Sequence, residues 1–172
     1  MNIRKTTMKD LDQILSIYAY ARKQMRLSGN PDQWGEDKPS PELIKNDIQN
    51  GSSYVIIDPI SNDIAGVFTF IIGNDPTYQR IENGSWLNHD TYGTIHRIAS
   101  CGTQKGIFRC CLAFCETLAP NIRIDTHECN RTMQHLLESN GYIKCGRIYV
   151  TDGSPRIAYQ KQIQPATSNH RP

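Results

Sequence analysis

The stretch from Ile95 to Cys115 holds the densest set of residues able to do chemistry. A strand pattern, Thr94 to Ser100, runs into the small, polar, glycine-bearing segment Cys101 to Gly106, and a helical pattern follows to about Leu118. A loop of that kind opening a helix leaves backbone N–H groups without partners. Together with the helix dipole they suit an anion such as a pyrophosphate. Gly102 and Gly106 let the backbone approach a ligand with no side chain between, and Lys105 and Arg109 add positive charge. Many strand-to-helix turns carry glycine for geometric reasons alone, so the unit gains meaning only from its surroundings. Proton transfer has separate candidates. His96 lies on the strand before the loop, and imidazole needs the least tuning to act as a base near neutral pH. Glu82 lies in a long polar loop, His127 and Glu128 follow a later strand, and Tyr149 sits in a late one. The plainer readings are a half-buried histidine bonded across a sheet, solvated loop residues and a core aromatic.

The elements that must position these groups follow from periodicity. Asn2 to Lys5 is a short strand pattern. Thr7, with Asp10 three residues on, is a variant capping box before an apolar helical face of Leu11, Ile14, Leu15, Tyr18, Ala21 and Met25. Ser40-Pro41 reads as an N-cap with proline in the first turn of a short helix that Asn50-Gly51 stops. Tyr54 to Asp58 and Ile64 to Ile72 form a hairpin pattern, with Pro59 to Asp63 as its turn. Gly73 to Tyr92 is a loop long enough to be functional. Ile122 to Thr126 is a strand, Asn130 to Asn140 a helix stopped by Gly141, and Tyr142 to Val150 and Arg156 to Gln160 are the last strands. The order β-α-α-β-β-β-α-β-α-β-β predicts an α/β (α+β) layer architecture in one domain over residues 1–161, with a polar tail at 162–172.

Composition narrows the function classes. A net charge of +2 gives no footprint for nucleic acid. No apolar run reaches the ~18 residues of a membrane span, and Met1 to Lys9 lacks the apolar core of a signal peptide, so the cytoplasm is the expected location. The six cysteines show no C-x-x-C pair. Reduced, mostly buried thiols are expected and no metal site, a metal or redox protein being the remote reading.

In this context the strand-loop-helix unit resembles the coenzyme-A motif of the GNAT superfamily of N-acetyltransferases, R/Q-x-x-G-x-G/A at the start of a helix. Here Thr103-Gln104-Lys105-Gly106-Ile107-Phe108 stands in that place, preceded by Ile98-Ala99-Ser100. Asn130 opening a helix and Gly141-Tyr142 closing it resemble the second signature. The resemblance covers residues 1 to 161. It implies a single mixed sheet of about six to seven strands flanked by helices, with the fourth and fifth strands splayed. It also implies acetyl-CoA as acyl donor and direct attack by a primary amine, of a small molecule or a peptide, in a ternary complex. The same fold without catalysis, a module that only binds acyl-CoA, is the alternative. Homodimers are common in the family.

By the same resemblance, Ile98, Ala99 and Ser100 offer backbone to the pantetheine arm and one N–H to the reacting carbonyl. Thr103, Gln104, Lys105, Gly106, Ile107, Phe108 and Arg109 hold the pyrophosphate, and Asn130 touches the arm. His96 is the first choice of general base and Glu82 the second. Arg26, Gln33, Trp34, Tyr78 and Trp86 are candidates for the acceptor wall. The sequence departs from the family in four ways. Thr103 replaces Arg or Gln, Phe108 replaces Gly or Ala where it would crowd the phosphates, and the loop is about two residues short. The family's tyrosine acid, four residues before the glycine of the second signature, is Leu137 here. Tyr149 is the candidate replacement.

Overall fold

The computed structural model describes residues 1–163. Among them, seven strands form one sheet in the order β1-β2-β3-β4-β5-β7-β6. β1 (Asn2–Lys5), β2 (Ser53–Ile57), β3 (Ile64–Ile72) and β4 (Gly93–Ser100) make an antiparallel run. β5 (Asn121–Thr126) lies parallel to β4, and β7 (Pro155–Gln162) pairs antiparallel with both β5 and β6 (Ile143–Tyr149). The parallel pair needs a crossover, which α3 (Ile107–Leu118) supplies. The other helices are α1 (Leu11–Leu27), α2 (Pro41–Gln49) and α4 (Arg131–Ser139). This is the mixed, helix-flanked sheet expected from the order of elements.

Alternation along the strands sorts the core into two layers. Val55, Ile57 and Val67 pack with Ile14, Ile17 and Tyr18 of α1 and Ile44 and Ile48 of α2. Their neighbours Ile56 and Phe68 join Ile95, Ile122 and Tyr159 on the opposite face against Ile107, Phe108, Cys111 and Leu112 of α3 and Leu137 of α4. A third cluster of Tyr78, Trp86, Tyr92, Cys145, Ile148 and Ala158 pins the 73–92 loop to β6 and β7.

Caps act as their residue types require. The Ser40 hydroxyl accepts from the Leu43 N–H at 3.2 Å, and Asn130 Oδ1 from the Met133 N–H at 3.1 Å. The Thr7 N–H donates to Asp10 at 2.7 Å, yet Met8–Asp10 is a 3-10 turn and α1 begins only at Leu11. Asp10 is also held by both terminal guanidinium nitrogens of Arg4, at 2.8 Å each, which ties this turn to β1. β7 runs to Gln162, opposite Asn121, one residue past the expected domain end. The rest of the expected tail, from residue 164, lies outside the described residues. No helix among the described residues is long and apolar enough to cross a membrane. All six cysteines are free thiols.

Two irregularities position the site. β4 and β5 pair only at Gly93–Ile122 and Thr94–Arg123, so beyond those residues the strands separate. On the other side of β4, Val67 faces Ala99 but Thr69 faces His96, so β4 carries an extra residue between them. That bulge contains Arg97, at a φ of 53°.

Candidate active site

A non-glycine residue in the left-handed region costs on the order of 1–3 kcal/mol, so the surroundings must hold it there. Asp47 of α2 does so. Its carboxylate takes Arg97 Nε at 2.8 Å and a terminal guanidinium nitrogen at 3.0 Å, and it accepts the Thr69 hydroxyl at 2.9 Å. The Tyr18 hydroxyl donates to the Arg97 carbonyl at 2.9 Å. Both helices of one layer, α1 and α2, therefore brace the kink that turns β4 away from β5. The opening holds a cleft of about 980 Å³, with His96, Arg97 and Ile98 on one wall and Ile124 and Asp125 on the other. Trp34 lines it too, set edge-on to Tyr18 at 5.6 Å between ring centres.

His96 is mostly buried, and its Nε2 lies 2.7 Å from Asp75 Oδ2. Asp75 comes from the 73–92 loop, where it caps the 3-10 turn Pro76–Tyr78. Its Oδ1 accepts the Thr77 N–H at 2.9 Å and the Thr77 hydroxyl at 2.7 Å. Burial works against the charge of this carboxylate. The hydrogen bonds from His96 and Thr77 outweigh it and bring the pKa down to about 2. An ionised Asp75 requires the proton at His96 Nε2, which leaves Nδ1 with a lone pair. The Tyr78 hydroxyl donates to Asp125 at 2.7 Å, and its ring centre is 6.0 Å from that of His96. Burial pushes the Tyr78 phenol well above its ordinary range, so it stays neutral.

The anion loop keeps its donors free. Among the described residues, the backbone N–H groups of residues 103–109 have no backbone partner, whereas that of Cys110 bonds Gly106 O. Gly106 is the N-cap of α3 at a φ of 82°, and a Cβ there would find nothing nearer than Met1 Cε at 3.9 Å. Its outer side is open to a ligand. Lys105 and Arg109 are exposed beside it. The Gln104 amide is spent on Asp58. Phe108 does not crowd the loop, because at the second helical position it points into the core with Ile107.

Other expected residues fall elsewhere. Glu82 and Tyr149 bond each other at 2.9 Å, and Glu82 pairs by backbone with Arg147 of the sheet-edge strand β6. Neither lines the cleft. Trp86 is a core residue rather than an acceptor wall. Its N–H donates to Tyr78 O at 3.0 Å, and Arg123 lies 4.0 Å from its ring centre. Arg26 pairs with Glu36 at 3.6 Å outside the cleft, which its neighbour Met25 lines instead. Asn130 spends its amide on Gln33 at 2.9 Å and so fixes a cleft residue. His127 Nδ1 accepts the Cys129 N–H at 3.2 Å within the loop before α4. Leu137 is fully buried. Sequence reasoning missed Asp75, Asp125, Asp47 and Arg97. Only Asp75-Pro76-Thr77 carried a signal, an Asx cap before proline. Glu82→Gln and Tyr149→Phe are accordingly expected to keep kcat/KM within about threefold of the parent, as changes remote from the reacting atoms do. A steady-state assay checks this.

The cleft and loop together suit an elongated ligand with a pyrophosphate at one end. Backbone left unpaired in the splay can take such a ligand as an added strand. Among solved structures, the chain is similar to a GNAT-family acetyltransferase from Streptococcus agalactiae at 34% identity, over 95% of this chain and 96% of that one, with a TM-score of 0.86. A GNAT-family acetyltransferase from Listeria monocytogenes shares the fold at 22% identity, over 94% of each chain, with a TM-score of 0.69. So does a chain of the NatC complex bound to Gag peptide and CoA, at 13% identity, 95% and 98% coverage and a TM-score of 0.62. No protein-family model and no curated protein matches the chain.

Proposed function

Because the chain belongs to the GNAT family of acetyltransferases, we propose that it transfers an acetyl group from acetyl-CoA to a primary amine, with His96 as general base. The observation that carries this reading is the His96–Asp75 pair inside the splay.

The free N–H groups of residues 103–109, with Lys105 and Arg109, would hold the pyrophosphate. The edge of β4 at Ile98, Ala99 and Ser100 would hold the arm. When bound, acetyl-CoA supplies the thioester carbonyl. The chain's own part is the rest. His96 Nδ1 takes the proton from the acceptor ammonium, and Asp75 orients the ring and stabilises the imidazolium. A backbone N–H of the bulge facing the splay stabilises the oxyanion. The C–S bond then breaks; Leu137 cannot protonate the leaving sulfur, so CoA departs as a thiolate and takes up from solvent the equivalent of the second proton that the nitrogen releases as the amide forms. Of the two departures that weaken the transfer machinery and so favour the non-catalytic alternative, Phe108 is buried in the core and only Leu137 counts.

Calorimetric titration is expected to show micromolar binding of acetyl-CoA, followed by thiol release when an amine is added. Gly106→Val should weaken that binding by about tenfold or more, because a β-branched residue resists a φ of 82° and shifts the loop. Absence of acetyl-CoA binding by the parent protein would sink the proposal.

A further inference from the structure

Asp58 is a buried carboxylate with no ion pair among the described residues. Burying such a charge is costly unless hydrogen bonds satisfy it. Oδ1 accepts the Ile60 N–H at 2.8 Å, which shapes the turn between β2 and β3. The Asp58 carbonyl takes the Asn62 N–H at 2.9 Å, so the turn fixes this residue at two points. Oδ2 has no part in the turn. It accepts the side-chain amide of Gln104, 46 residues further along the chain, in the glycine loop before α3.

That loop needs fastening. Gly102 and Gly106 both stand at a φ of 82°, and glycines leave a free loop many conformations to sample. Its first residues are tied down. The Cys101 N–H donates to Ala65 O at 2.9 Å and the Gly102 N–H to Ser100 Oγ at 3.1 Å, while a Cβ on Gly102 would strike the Tyr20 ring of α1. Beyond them no backbone bond reaches the N–H groups of residues 103–109 among the described residues. The Gln104 amide is the hydrogen bond that ties residues 103–106 to another part of the fold.

We infer that Asp58 is a positioning residue for the donor site, which acts through Gln104 to stiffen the loop around its free N–H groups before the pyrophosphate of acetyl-CoA arrives. This rests on the acetyl-CoA reading. The Gln104 side chain then serves the site by its grip on Asp58 and makes no contact with the phosphates. Ordering the loop beforehand removes a cost that binding would otherwise bear.

Gln104→Ala should weaken acetyl-CoA binding in calorimetry by about tenfold, roughly the ordering cost of one residue. KM for acetyl-CoA should rise alike, while KM for S-acetylpantetheine, which has the thioester and arm but no pyrophosphate, stays unchanged. Asp58→Ala should match it, and the double variant should lose no more than either alone. Asp58→Asn should keep the affinity within about threefold. The Asn oxygen still takes the Ile60 N–H, and the Gln104 amide turns over to accept from the new NH2. Backbone order parameters of residues 103–106 should fall from about 0.85 to below about 0.6 in Gln104→Ala. Parent-like acetyl-CoA affinity in Gln104→Ala, or additive losses in the double variant, would overturn the inference. If the parent protein does not bind acetyl-CoA, the acetyl-CoA reading fails instead. Unchanged order parameters in Gln104→Ala then overturn the clamp by themselves.

Discussion

His96→Ala should lower kcat/KM for any acceptor amine by about 10²–10⁴-fold, the usual worth of a positioned general base, while acetyl-CoA affinity stays within about threefold. The separation of effects is the point. The donor would be held by the loop and strand backbone, which the imidazole does not touch, whereas the acceptor is an ammonium ion that must lose a proton before it attacks. Asp75→Asn should cost a similar amount, because the Thr77 donors hold the amide oxygen at the Oδ1 position, so the amide NH2 faces His96 Nε2 and turns the imidazole to the tautomer protonated at Nδ1. Asp75 has its pKa lowered to about 2, so its charge is present at all higher pH and is lost only as pH falls through that value. Asp75 therefore contributes no limb to a kcat/KM profile recorded between about pH 5 and 8. Most of the rate should also be lost in His96→Gln, and full activity in that variant would place the base elsewhere.

Asp47→Ala should destabilise the fold by about 3–5 kcal/mol, the cost of stranding one charge of a buried pair. Arg97 would lose the two hydrogen bonds that hold it at a φ of 53°, and the Thr69 hydroxyl would lose its acceptor. The Arg97 side chain keeps 18% of its exposure, so water relieves part of the penalty and the lower end of that range applies. For a chain of this size the melting temperature should fall by roughly 6–12 °C. Arg97→Gly relieves the backbone strain but strands the buried Asp47 carboxylate in turn, so it should cost about 1–3 kcal/mol less than the full penalty for stranding a charge, and with Asp47→Ala it should show strong non-additivity. A loss below about 1 kcal/mol for Asp47→Ala would mean that sheet pairing alone sustains the bulge.

Several site features were legible along the chain because their physics is local. Ser40-Pro41 caps α2 and Asn130 caps α4 by bonds spanning three residues. The glycine loop before α3 shows its free N–H groups by composition, since any helix start leaves such donors. His96 could be singled out because imidazole is suited to proton transfer wherever it stands. Phe108 was misjudged on a similarly local ground. Its place in a motif set it against the phosphates, while the turn of α3 directs it into the core.

The rest required the chain to meet itself. Asp75 reaches His96 from 21 residues away through a loop whose course depends on Tyr78, Trp86 and Tyr92 packing over β6 and β7. Glu82, from the same loop, is carried to Tyr149 instead, a division that no pattern within the loop encodes. The bulge at Arg97 is invisible to alternation, since an extra residue shows only as a slip against the opposite strand. By itself the sequence determined the elements, their order, their caps and the supply of chemical groups, because periodicity and capping act within a few residues. Which carboxylate faces the imidazole, and the bulge by which β4 leaves β5 in the splay that the family resemblance implied, were decided only by tertiary structure, because both depend on contacts between segments far apart in the chain.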